Sequence, residues 1–186
     1  MLPGNMMDRP LTVPSILDFA AEIHGDARVI SARVEGDVHR YSYAEAHKRV
    51  AQLAHALRHL GIGDGDRIAT LAWNGYRHFE LYYAVSGIGA VCHTINPRLF
   101  EDQILYIVGH AEDRILFLET SFLPLVEKLA DRLPPDLRYV VMCAAEDLPE
   151  TELNVMAYED LLIGQPNTII WPDLDERQAS GLCYTS

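Results

Sequence analysis

Apolar residues recur along this chain in two rhythms, first helical and then alternating between strand and helix. Ile16, Leu17, Phe19, Ala20 and Ile23 give a short first helix an apolar side. Thr12 or Ser15 can cap it, Pro14 suits its first turn and Gly25 ends it. Val29 to Val34 and Val38 to Tyr41 flank Glu35-Gly36-Asp37, which predicts a hairpin with a glycine in its loop. Ser42 and Glu45 have the spacing of a reciprocal N-terminal cap: the hydroxyl accepts from the third backbone N–H and the carboxylate reaches back. Ala46, Val50, Leu53, Leu57 and Leu60 then follow at alternating steps of four and three. They form one stripe and leave Lys48, Arg49, Gln52, His55, Arg58 and His59 elsewhere on the helix surface. Gly61 stops this helix.

Beyond it the order is strand, then helix, repeated. Arg67 to Trp73 reads as a strand, and its near-continuous apolar run from Ile68 to Ala72 suits a sheet covered on both faces. Asn74 can cap a helix over about Tyr76 to Ser86. Strands are expected at Ala90 to Thr94, Ile115 to Leu118 and Tyr139 to Cys143, with helices at Glu101 to His110 and Ser121 to Arg132. Ala144 to Pro172 is less regular, with a short helix near Tyr158 to Ile163. A last apolar run, Ala179 to Tyr184, reads as a further strand. The alternation predicts an α/β fold: a largely parallel sheet flanked by helices, plus a small N-terminal β-hairpin. The last strand reading runs directly into Thr185-Ser186, where the chain stops, so the expectation is a piece of something longer.

Composition narrows the function classes. The 186 residues, 49% of them hydrophobic and 23% charged, suit one globular domain. Asp and Glu number 27 against 15 Lys and Arg, a formal charge of -12. Such a surface repels phosphodiester backbones and anionic lipid, so neither nucleic acid nor stable membrane insertion is expected. No apolar run approaches the roughly 18 residues of a membrane span, and Met1 to Pro10 lacks the pattern of a secretory signal. Cys92, Cys143 and Cys183 are far apart and sit in apolar runs. They read as buried thiols in a reducing compartment, the cytoplasm, rather than as disulfides or a zinc site.

Most candidate chemistry reduces to structure. Gly61-Ile62-Gly63-Asp64-Gly65 follows a helix and precedes a strand, the reverse of a dinucleotide loop, so it reads as a helix stop and a tight turn. The histidines offer no metal-binding spacing, and Cys92 and His93 point to opposite faces of their strand. His47, His55 and His59 read as solvated. Arg77-His78 with Glu80 reads as an exposed helix turn. Cys183 lacks a basic neighbour and no Gly-x-Ser-x-Gly is present, so no nucleophile is marked and no catalytic residue is assigned. Two segments stand apart. Ligands gather at the carboxyl ends of parallel strands, which makes His93, Thr94, Asn96 and Arg98 candidates for a cleft wall. Equally, Asn96-Pro97 can be a plain turn, with Arg98 paired to Glu101 or Asp102. Leu182-Cys183-Tyr184-Thr185-Ser186 is an apolar strand opening into hydroxyls, as a phosphate-gripping loop begins.

These residues carry a family resemblance. Tyr41-Ser42-Tyr43-Ala44-Glu45, Ala72-Trp73-Asn74, Tyr82 to Gly87, Gly89 to Phe100 and Leu182 to Ser186 together resemble the N-terminal part of AMP-forming acyl-CoA synthetases, of the adenylate-forming superfamily. His93-Thr94-Ile95-Asn96-Pro97-Arg98-Leu99 and Ile170-Trp171-Pro172-Asp173 are most similar to bacterial medium-chain fatty-acid members. The resemblance implies that residues 1–186 are the N-terminal part of the AMP-binding (adenylation) domain, with the C-terminal lid domain outside them. It implies a fatty-acid substrate, with Mg-ATP and coenzyme A used by the full-length enzyme. Thr185 and Ser186 match the start of the family's phosphate loop and are carried over as ATP-phosphate contacts, with Tyr184 packing beside them. The loop's glycines and lysine, the metal-binding glutamate and the lid lysine would lie beyond Ser186. The segment alone is therefore expected to bind no cofactor tightly, to hold no metal and to be inactive. A homodimer fits the family. The alternative is a free-standing, non-catalytic α/β binding or assembly module derived from such a ligase.

Overall fold

A computed structural model describes residues 4–5 and 9–185. Helix α1 (Val13–Ile23) leads into a hairpin of β1 (Arg28–Ala32) and β2 (Val38–Ser42), then α2 (Tyr43–His59). Next come β3 (Arg67–Leu71), α3 (Tyr76–Gly87), β4 (Val91–Thr94), α4 (Glu101–Ala111) and β5 (Ile115–Leu118). The chain continues through α5 (Leu123–Leu129), β6 (Arg138–Val141), β7 (Val155–Ala157), α6 (Tyr158–Leu162) and β8 (Gly181–Cys183). Strands β3 to β8 form one six-stranded sheet in the order β7-β6-β5-β3-β4-β8, parallel throughout. The antiparallel hairpin turns on Gly36, whose φ of +96° a side chain would resist.

Each face of the sheet has its own core. Ile68, Cys92, Ile115, Phe117 and Val140 face Leu17, Leu53, Leu57, Leu81, Val85 and Tyr158 of α1, α2, α3 and α6. Ala69, Leu71, Leu116, Leu118 and Val141 face Ile104, Ile107, Val108, Val126 and Leu129 of α4 and α5. The assignment follows handedness. The step from β3 to β4 runs one way along the sheet and puts α3 on the first face. The steps β4 to β5 and β5 to β6 run back, and put α4 and α5 on the second.

Local expectations met the structure unevenly. The Ser42–Glu45 cap forms both ways: Glu45 N–H donates to Ser42 Oγ at 3.2 Å, and Ser42 N–H to Glu45 Oε2 at 2.7 Å. Gly61 and Gly65 take φ of +78° and +74°, the stop and turn expected of them. Gly75, not Asn74, caps α3. The expected helix over Ser121–Arg132 is regular only within α5 and tightens to 3₁₀ turns at Thr120–Phe122 and Ala130–Arg132. On α1, Leu17 is buried, whereas Ile16, Phe19 and Ile23 stay exposed.

The expectation for the first turns of α3 is overturned. Arg77, His78 and Glu80 are buried. Glu80 Oε1 accepts from Arg49 Nε at 2.7 Å and Glu80 Oε2 from the Tyr158 hydroxyl at 2.7 Å. Glu159 takes Arg77 Nε at 2.8 Å and Arg49 at 2.9 Å, and Arg77 also reaches Glu35 in the hairpin turn at 2.7 Å. Arg49 is therefore part of an interior ion network rather than a solvated residue. His78 is held between Thr70 Oγ1 and the Trp73 carbonyl, each at 3.0 Å. These charges are affordable inside because each has a partner. His47 and His55 are half-buried, engaged by Asp18 and the Thr168 carbonyl. Cys92 and Cys143 are buried as expected; Cys183, on the edge strand, is exposed.

Candidate functional site

Because the sheet is all parallel, the carboxyl ends of its strands share one edge. Chain leaves β3 toward α3 on the first face and leaves neighbouring β4 toward α4 on the second. The two connections part there, so the crevice of the fold opens outside β3 and β4. Trp73, Asn74 and Gly75 border it from β3. Thr94 ends β4 at the same edge, and Asn96, Pro97 and Arg98 follow it. On the other side of β4, β8 pairs Cys183 with Thr94, so two residues on lie Thr185 and, on the β4 course, Asn96.

Asn96 makes a local turn, its Oδ1 accepting from Arg98 N–H at 3.0 Å. The alternative partners for Arg98 are engaged elsewhere: Glu101 with Lys128 at 2.6 Å and Asp102 with Arg132 at 2.8 Å. Among the described residues the exposed Arg98 guanidinium has no ion-pair partner. Thr185 is exposed, and Ser186 lies outside the described residues. An open cavity of about 340 Å³ lies against α4, lined by Leu99, Asp102, Gln103, Tyr106, Ile107, Tyr184 and Thr185.

His93 departs from the expected wall. Its side chain is fully buried on the α4 side of the sheet. Nδ1 lies 2.8 Å and 3.0 Å from the two carboxylate oxygens of Asp113, in the turn between α4 and β5. Burial pushes the Asp113 carboxyl above its usual range, and His93 offsets part of that rise. Among the described residues His93 Nε2 is enclosed without a partner. The ring lies 5.2 Å from that of Tyr184, and the Tyr184 hydroxyl is 2.6 Å from His110 Nδ1 on α4. Sequence reasoning missed Asp113 and His110. One signal was present: a histidine inside an apolar strand requires a polar partner, though nothing local says it lies 20 residues away.

Among the described residues no group of three or more His, Cys, Asp or Glu is placed to hold a metal ion. Thr185 and Arg98 follow β8 and β4 at the carboxyl edge of the sheet and are both exposed.

The profile of the AMP-binding enzyme family matches residues 17–186. The chain belongs to that family. It is 44% identical over 184 residues to a medium-chain-fatty-acid–CoA ligase of Ectopseudomonas oleovorans, covering 98% of this chain and 34% of that protein. It is 43% identical to a long-chain-fatty-acid–CoA ligase of Thermus thermophilus, covering 99% of this chain and 32% of the relative. The chain thus spans about a third of the length of these curated relatives. Among solved structures, an anthranilate CoA ligase in complex with anthranoyl-AMP superposes with a TM-score of 0.83 at 20% identity, covering 97% of this chain and 33% of that one. A Mycobacterium tuberculosis fatty acyl CoA synthetase superposes with a TM-score of 0.74 at 19% identity, over 94% of this chain and 32% of that one. At these identities the superpositions speak for the fold alone. Among the described residues no helix is long and apolar enough to cross a membrane.

Proposed function

We propose that residues 1–186 form the N-terminal third of an AMP-forming acyl-CoA ligase acting on a medium- or long-chain fatty acid. The observation that carries this reading is the 44% identity to a medium-chain-fatty-acid–CoA ligase across 98% of the chain. The reaction has two displacements. The fatty-acid carboxylate attacks the α-phosphate of ATP, forming acyl-adenylate and releasing pyrophosphate; the thiol of coenzyme A, losing its proton, then displaces AMP. Adenylation replaces a poor leaving group with a good one. Magnesium, when bound, neutralises charge on the phosphates.

This chain's own part is one wall of the site. Thr185 and Ser186 start the phosphate loop, and Thr94, Asn96 and Arg98 face the crevice beside it. Half a phosphate loop cannot meet the charge that develops on pyrophosphate, so the segment alone is inactive. The unpaired buried thiols Cys92 and Cys143 suit a reducing cytoplasm. The exposed Ile16, Phe19 and Ile23 suit a homodimer, read by sedimentation of the same preparation.

The test is fatty-acid-dependent ATP–pyrophosphate exchange. The full gene product carrying this sequence should catalyse it, and residues 1–186 alone should not. Exchange by residues 1–186 would overturn the inactivity. A full gene product that folds and exchanges nothing would favour a non-catalytic module.

A further inference from the structure

The segment that leaves β8 toward Thr185 has little backbone to hold it. β8 has three residues and, among the described residues, pairs only with β4. What anchors it next is Tyr184. The Tyr184 ring rests 5.2 Å from the His93 ring, and the Tyr184 hydroxyl meets His110 Nδ1 at 2.6 Å. His93 is itself prevented from turning: both oxygens of Asp113 lie within 3.0 Å of its Nδ1, and the ring has no exposed surface. A buried polar pair of this kind is conformationally stiff, because neither group can leave without stranding the other.

We propose that His93 and Asp113 are a positioning pair for nucleotide binding: they fix the Tyr184 ring, and with it the backbone from which Thr185 projects. The inference rests on the ligase reading above, in which Thr185 meets the ATP phosphates. Asp113 accepts from His93 Nδ1–H and sets the ring's rotation. The ring then limits Tyr184 from the sheet side, while His110 holds its hydroxyl from α4. The phosphate-facing residue is thereby ordered before ATP arrives. Without the clamp, ATP must order it on binding, and fixing about one residue's backbone corresponds to roughly a tenfold weaker binding. The effect falls on the nucleotide first, because the pair acts through Tyr184 on Thr185.

The experiment uses the full gene product and compares wild type with Tyr184→Phe, His110→Ala and His93→Gln. Tyr184→Phe removes one hydroxyl and His110→Ala removes its partner from the protein surface, so both leave the core intact. The readouts are KM for ATP, KM for fatty acid, kcat and thermal midpoint. The expected result is a rise of about tenfold in KM for ATP in each variant, with KM for fatty acid within about twofold and the midpoints of the two surface variants unchanged. KM for ATP unchanged in folded Tyr184→Phe and His110→Ala overturns the inference. So does a parallel loss in every parameter together with the midpoint, the mark of a merely structural role. An inactive wild type instead removes the ligase reading on which this stands, and is seen before any variant is made.

Discussion

Gly87 and Gly109 are both helical glycines, and the structure gives them opposite consequences. A Cβ built on Gly87 would overlap the indole of Trp171, which lies directly on it. The indole is pinned there, since its Nε1–H donates to Asp18 Oδ1 at 3.1 Å, and the same oxygen meets His47 at 2.9 Å. Gly87→Ala must push the ring off, and with it the irregular segment around residues 165–178 that crosses α1, α2 and α3. Overpacking of this kind costs about 1–3 kcal/mol, more than the fraction of a kcal/mol that alanine returns in helix propensity. Gly109 is exposed on α4 with nothing within 4 Å of a built Cβ. Gly109→Ala should therefore stabilise by about 0.5–1 kcal/mol. Urea unfolding of the two variants reads the difference as midpoints displaced in opposite directions. Equal shifts would mean that the indole does not sit on Gly87 in solution.

Helix α2 shows how far element-level reasoning reaches. Its cap, its stripe and its stop are all local, so they can be read from spacing alone. Replacing the cap hydroxyl by Ser42→Ala removes the acceptor for Glu45 N–H and should cost about 1 kcal/mol, whereas Ser42→Asp should retain most of it; thermal denaturation of the pair separates the cap from a general effect of mutation. Helix α3 was legible in extent but not in environment. Arg77, His78 and Glu80 look like a polar turn, yet their partners come from Glu35, Thr70, Tyr158 and Glu159. Most of these lie tens of residues away, and no periodicity announces them. The available clue was that Phe79, Leu81, Tyr82, Tyr83 and Val85 leave α3 with no wholly polar side, which is the mark of a helix packed on more than one face. Strand β7 is not legible because three residues, Val155 to Ala157, follow a polar stretch and make too short a run to declare a period. The exposure of Cys183 is hidden for a related reason. An apolar strand reads as buried, but β8 sits at the sheet's edge among the described residues, and position within a sheet is set by topology rather than by the strand's own sequence.

At the scale of the whole molecule, hairpin and sheet meet over ionised groups, and this couples global stability to pH. Glu119 leaves the carboxyl end of β5 and is buried beside a cavity of about 30 Å³ whose wall includes Arg33, Glu35, Trp73 and Arg77. Burial raises its carboxyl to about 7; Arg77 opposes the rise and Glu35 adds to it. The folded state therefore holds this proton more tightly than the unfolded chain, where a glutamate titrates near 4.5. Stability from this group is fully present below about pH 4.5 and is lost as pH rises through about 7. The span corresponds to about 3 kcal/mol at most. Glu119→Gln keeps the shape and removes the titration. Wild type and variant should differ by a constant amount below about pH 4.5. Between there and about pH 7 the difference should shift progressively in the variant's favour, by up to about 3 kcal/mol in all by pH 8. The comparison isolates Glu119, because the half-buried His39 and the buried His78, whose desolvation lowers their affinity for protons, titrate alike in both proteins. Denaturant unfolding at pH 4.5, 6 and 8 measures it. A difference that stays level with pH would show that Glu119 is solvated, and that the hairpin does not close over the end of β5 in solution.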